Sequence, residues 1–129
     1  GKALWKDSFS WGQDHHGGHM ARPAIVNGEV YVRPRAYDLA TGKVLKKSLP
    51  GGGCGTYAAT AGAFIFRSGN VTMWNRSNGK VTSWSRLRPD CWLSTIPAGG
   101  MLLSPEGGGG CSCGSWLEPS IGFIPVARK

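Results

Sequence analysis

All three histidines of the chain, His15, His16 and His19, fall within five residues, and Asp14 precedes them. Imidazole nitrogen is the commonest side-chain donor to metals, and nitrogen combined with carboxylate suits zinc or copper. Gly17 and Gly18 let the backbone turn back, so that His15 or His16 can reach the same ion as His19. Asp14 then acts as a ligand, or as the acceptor that fixes an imidazole tautomer. Asp14, His15, His16 and His19 are therefore the expected metal site, with a divalent ion as cofactor. The competing reading is a polar loop whose histidines cap backbone groups or face solvent.

Other residue patterns carry less. Residues 110–114 read Gly-Cys-Ser-Cys-Gly and match the G-x-S-x-G elbow that would make Ser112 an esterase nucleophile. That elbow needs a strand-to-helix turn with an acid and a histidine following, and no histidine follows Ser112. In a glycine-rich chain, coincidence explains the match more simply. Glu106 and Asp90 have no second carboxylate brought near by local sequence, and Asp90 reads as a turn residue paired with Arg88. The glycine runs at 51–55 and 107–110 lack the Gly-Lys-Ser/Thr ending of a phosphate loop and read as tight turns.

Cys54, Cys91, Cys111 and Cys113 form an even set, and Cys111-Ser112-Cys113 is too tight for most zinc loops. Two disulfides are expected, joining Cys111 and Cys113 to Cys54 and Cys91 in an order the sequence leaves open. Such pairs belong to an oxidising compartment, periplasmic or extracellular.

A chain of 129 residues suits a single domain. Fifteen basic residues against seven acidic ones leave +8. The charges are scattered, with no run longer than Lys46-Lys47, so nucleic acid is not an expected partner. No stretch approaches the roughly 18 apolar residues that span a membrane as a helix.

An internal repeat supplies the elements that position these residues. Residues 37–44, Tyr-Asp-Leu-Ala-Thr-Gly-Lys-Val, lie over residues 74–81, Trp-Asn-Arg-Ser-Asn-Gly-Lys-Val. The opening Gly1-Lys2-Ala3-Leu4-Trp5 looks like the tail of the same unit, so Gly-Lys pairs recur at 1, 42 and 79. Upstream, β-rich runs flank Asn27-Gly28, Gly62 and Gly99-Gly100 in turn. Asn-Gly between such runs is a strong hairpin signal, because a type I′ turn needs positive φ at both central residues. No apolar period of 3.6 residues persists, and Gly and Pro interrupt every long window. The pattern predicts an all-β chain of antiparallel meanders with units near 12–49, 50–86 and 87–129, and residues 1–11 as the tail of a preceding unit. A period near 40 residues is that of propeller blades. About three blades are too few to close a ring of four to eight, so a piece of a longer protein or a homo-oligomer is expected.

Residues 22–32, Arg-Pro-Ala-Ile-Val-Asn-Gly-Glu-Val-Tyr-Val, followed by the Asp38-x-x-Thr41-Gly42-Lys43 turn, resemble the PQQ-like, quinoprotein-type β-propeller repeat. The segments around Cys54, Cys91 and Cys111 are similar to the C-terminal part of propeller proteins of planctomycete-type bacteria. That repeat has a strand ending in Trp, and Trp5 and Trp84 fit it, whereas Lys46-Lys47 stands there in the middle unit. The resemblance implies a propeller but not its quinone cofactor, since seven scattered carboxylates hardly make the calcium site that PQQ would need.

The expected function is thus an extracytoplasmic binding or scaffold module with a protein or polysaccharide partner. The alternative is a metal-dependent hydrolase or oxidoreductase using Asp14, His15, His16 and His19, with an esterase on Ser112 behind it. Whether the chain is an enzyme stays open at this point. Thiol titration of the unfolded, unreduced protein is expected to find no free cysteine, and four titratable thiols would overturn the disulfide reading.

Overall fold

The computed structural model describes residues 1–9, 22–51, 56–85, 87, 95–105 and 120–126. Among these, eleven strands and no helix are found. The first sheet runs β1 (Ala24–Val26), β2 (Glu29–Val32), β3 (Arg35–Asp38) and β4 (Val44–Ser48), each antiparallel to the next. The second repeats that order with β5 (Ala58–Ala59), β6 (Ala63–Ser68), β7 (Asn70–Asn75) and β8 (Val81–Trp84). The third holds β9 (Ile96–Ala98), β10 (Met101–Ser104) and β11 (Ile121–Phe123), with β10 central. The all-β chain of antiparallel meanders is therefore observed, as sheets of four, four and three strands, none closed into a barrel.

The turns follow from local chemistry. Asn27 and Gly28 sit at φ of +51° and +75° and join β1 to β2, as a type I′ hairpin requires. Gly99 and Gly100, at +57° and +74°, do the same between β9 and β10. Between β3 and β4, the Asp38 carboxylate accepts from the Thr41 amide at 2.8 Å and from its hydroxyl at 2.7 Å. Gly42 then donates its amide to the Asp38 carbonyl at 2.9 Å, with φ of +72°. Between β7 and β8 a similar lattice recurs, with the hydroxyl donor one aligned position earlier. The Asn75 amide oxygen accepts from the Ser77 amide at 2.9 Å and hydroxyl at 2.7 Å, and Gly79, again at +72°, donates to the Asn75 carbonyl. The brace across each sheet also repeats, Leu39 amide to Gly28 carbonyl and Arg76 amide to Gly62 carbonyl, both at 2.9 Å.

Packing explains why the middle sheet reads differently from its neighbours. On β6, Phe64, Ile65 and Phe66 are all buried, the near-continuous apolar run of a strand covered on both faces. Phe64, Phe66 and Trp74 face the first sheet, where they meet Tyr31, Ala36 and Leu49. Ile65 and Val71 face the other way, with Leu87, Met73, Trp84, Leu102 and Ile121 around them. The order of layers is thus first, second, third, and each fully buried large side chain contributes about 1.5–3 kcal/mol of burial. By contrast β4 is largely exposed, and Lys46 and Lys47 lie on an edge that no strand pairs among the described residues.

Residues 1–9 lie over the outer face of the first sheet. Trp5 stacks on Tyr37 with ring centroids 5.5 Å apart and donates its indole N–H to the Leu39 carbonyl at 2.8 Å. Asp7 accepts from the Tyr37 hydroxyl at 2.8 Å and from Arg35 at 3.0 Å, and the Arg35 guanidinium sits over the Phe9 ring. The hydrogen bond from Tyr37, seconded by the Ser8 amide, holds the Asp7 carboxyl below its ordinary value.

The indole rests on Gly42, where an added Cβ would lie 2.6 Å from Trp5 Cδ2. At Gly79 an added Cβ meets nothing within 4 Å. The two positions share the same φ, so Gly79→Ala isolates backbone strain of about 1–2 kcal/mol. Gly42→Ala is expected to cost more than Gly79→Ala in urea unfolding and to shift the tryptophan emission. Equal losses would show that Trp5 does not depend on the bare turn.

Candidate binding cleft

On the face of the first sheet opposite to Trp5, a polar bridge joins that sheet to the second. Arg76 occupies in the second sheet the turn position that Leu39 occupies in the first. Its guanidinium reaches back to Glu29 Oε2 at 2.8 Å and to the Tyr31 hydroxyl oxygen at 3.1 Å. Tyr31 in turn donates to Glu29, and Lys47 of β4 donates to the other carboxylate oxygen. Lys47 is thus the residue found where the aligned units carry Trp. Burial raises the Glu29 carboxyl, but the hydrogen bonds from Lys47, Tyr31 and Arg76 outweigh it and hold the group down to about 2. Nearby, Arg33 donates to the Tyr57 hydroxyl, and Tyr57 stands edge-on against Phe64 and Phe66.

Between the second and third sheets the packing is apolar and incomplete, leaving a cleft of about 690 Å³. Ile65 and Met73 form its floor on the second sheet, and Trp84 at the end of β8 forms a wall. Opposite stand Pro97, Met101, Leu102 and Phe123, with Ile124 and Pro125 at the mouth. The cleft exists because β6, β7 and β10 alternate large apolar side chains toward one another, while Gly99 and Gly100 contribute no side chain at the rim. Methionine thioethers on both walls can adapt to different shapes. Among the described residues lining it, the polar side-chain groups are the Thr60 hydroxyl, already engaged with the Ala63 backbone, and the Trp84 indole N–H. Those walls can desolvate and hold an apolar group; they offer no acid, base or nucleophile.

The residues singled out for chemistry fare as follows. Asp14, His15, His16 and His19 lie outside the described residues, as do Cys54, Cys91, Cys111 and Cys113, Ser112, Glu106 and Asp90. Among the described residues no three His, Cys, Asp or Glu side chains come together as a metal site. Trp84, which the repeat pattern marks as a strand-ending Trp, and Trp74 each pack in an inter-sheet cluster. Sequence reasoning missed the Glu29–Arg76 bridge. The signal was the exchange of Leu39 for Arg76 at one aligned position together with Lys46-Lys47 in place of Trp. It also missed the cleft, whose walls come from strands far apart in the chain.

Because the folded state lowers the Glu29 carboxyl from its ordinary 4.5, its contribution is full above that value and fades as pH falls toward about 2. Glu29→Gln is expected to cost about 1–2 kcal/mol at neutral pH. That difference from the unaltered chain should shrink to nothing in acid, as read by urea unfolding at stepped pH. A difference that persists unchanged at the lowest pH would remove the bridge from the account. Searches of family models, curated proteins and solved structures find no match to the chain.

Proposed function

We propose that the chain is a binding and scaffold module of the propeller type, whose cleft between the second and third sheets receives an apolar side chain of a protein partner. One observation carries the reading: a cleft of about 690 Å³ walled by Ile65, Met73, Trp84, Met101 and Phe123. A polysaccharide needs several side chains that read hydroxyl groups, and the described walls supply only an engaged threonine and one indole N–H. An apolar residue of a protein needs what is present, namely a dry aromatic and thioether lining with exposed apolar groups at its mouth. Met101 is 39% exposed, Phe123 37% and Ile124 70%.

The propeller part of the reading rests on the twice-built Asp/Asn turn and on sheets stacked in one direction, together with the repeat resemblance. The extracytoplasmic part rests on the cysteine content alone. Among the described residues no helix is long and apolar enough to cross a membrane.

The cleft is tested with anilinonaphthalene sulfonate, an apolar fluorescent probe. The native chain is expected to bind it saturably, and Ile124→Glu with Phe123→Glu should weaken binding about tenfold, or about 1.4 kcal/mol. Native protein that leaves the probe dark would overturn the reading, as would rim variants with unaltered affinity.

A further inference from the structure

We infer that Met73 is an oxidation site that governs the cleft: its sulfoxide, held by the Trp84 indole N–H, shuts out apolar groups. The inference rests on the binding reading above and adds its control. Met73 stands in β7 directly opposite Ile65 of β6 and Thr82 of β8. Ile65 and Met73 share the face toward the third sheet and form the cleft floor. Trp84 stands opposite Val71, two residues from Met73, and so is the diagonal neighbour of Met73 on that same face. Such neighbours lie about 7–8 Å apart, within reach of a long side chain and an indole. Both residues are half-buried and both line the opening, so a small solute entering the cleft meets the thioether.

The indole sets this methionine apart. Among the described residues nothing accepts from the Trp84 N–H, whereas Trp5 donates its own to the Leu39 carbonyl at 2.8 Å. A thioether is a weak acceptor and leaves that donor open. Hydrogen peroxide changes this. The sulfur lone pair attacks one peroxide oxygen, the S–O bond forms as the O–O bond breaks, and water leaves after proton transfer. Methionine gives up one electron pair, and the peroxide is reduced by it. The product sets a strongly polar oxygen on a floor shared with Ala63 and Ile65. The Thr60 hydroxyl is bonded to Ala63, so Trp84 holds the one open side-chain donor among the described lining residues. Met101, paired with Ala98 across its hairpin, has no side-chain donor opposite it. An apolar guest then loses the thioether and must desolvate the sulfoxide, so its affinity falls.

The test titrates anilinonaphthalene sulfonate into the full chain before and after mild peroxide, while peptide mass spectrometry shows which methionines gain oxygen. Oxidation of Met73 is expected to weaken probe binding about tenfold, with the β-type circular dichroism spectrum kept. Met73→Leu, compared with its own untreated form, is expected to lose less than about twofold, although Met20 and Met101 remain to be oxidised. By linkage, saturating probe should slow the oxidation of Met73 in the native chain. The change in tryptophan emission that peroxide causes should vanish in Trp84→Phe, which keeps a ring but no N–H. A native chain that leaves the probe dark before peroxide overturns the binding reading, and this inference with it. Unaltered affinity after complete oxidation of Met73 overturns the inference alone. So does an equal loss in Met73→Leu, which would move the effect to another methionine. A Met73 that resists peroxide, or that probe does not protect, overturns it as well. An emission change that persists in Trp84→Phe removes the indole and sinks the closure as stated.

Discussion

The structure depends on β6 being buried on both sides. Each sheet has only three or four short strands and an apolar face that must be buried against another layer, and neither outer sheet here has a second neighbour among the described residues. Phe64 and Phe66 point into one layer and Ile65 into the other, so a single hairpin with β7 serves two cores. Loss of Phe64 would therefore strip the contacts of Tyr31, Tyr57 and Trp74 together. The cleft is a by-product of the same constraint: the third sheet meets the middle one along Leu102 and Ile121, and the space beyond that line stays open.

How much of this could be read in advance follows the range of the interactions. Hairpins were legible because Asn27-Gly28 and Gly99-Gly100 need nothing beyond their own backbone freedom. The second turn was legible as a repeat, and its chemistry proved transferable: a carboxylate at Asp38 and a carboxamide at Asn75 each present one oxygen to an amide and a hydroxyl, from Thr41 in the first turn and, one aligned position earlier, from Ser77 in the second. Which sheet faces which was not legible, because Phe64 and Ile65 are equally apolar and only three-dimensional packing assigns their sides. The cleft was illegible for the same reason. The most conspicuous chemical cluster of the sequence, Asp14 with His15, His16 and His19, belongs to residues the structure does not describe. Its chemistry therefore rests on the sequence alone.

The aligned units also show how one packing solution replaces another. At the first sheet an indole lies on a bare glycine and donates to a carbonyl. At the second, the corresponding turn keeps its glycine at the same φ with nothing packed on it, and the position of Leu39 carries Arg76, which meets Glu29 together with Lys47. Loss of Glu29 alone would leave both Lys47 and Arg76 without their carboxylate, the latter beside the Tyr31 ring. The two exchanges are intelligible only as a pair, joined through Glu29.

The two seams of the stack are consequently held by different forces. Between the first and second sheets, rings of Tyr31, Phe64 and Trp74 are closed off by the Glu29 ion cluster. Between the second and third, the contact is chiefly aliphatic: Ile65, Val71, Leu87, Leu102 and Ile121. Acid attacks the former by discharging its carboxylate, whereas chilling weakens the latter, since purely apolar burial loses its driving force in the cold. Protons therefore act on the first seam through Glu29, low temperature weakens the apolar burial of both, and the middle sheet is the piece common to the two.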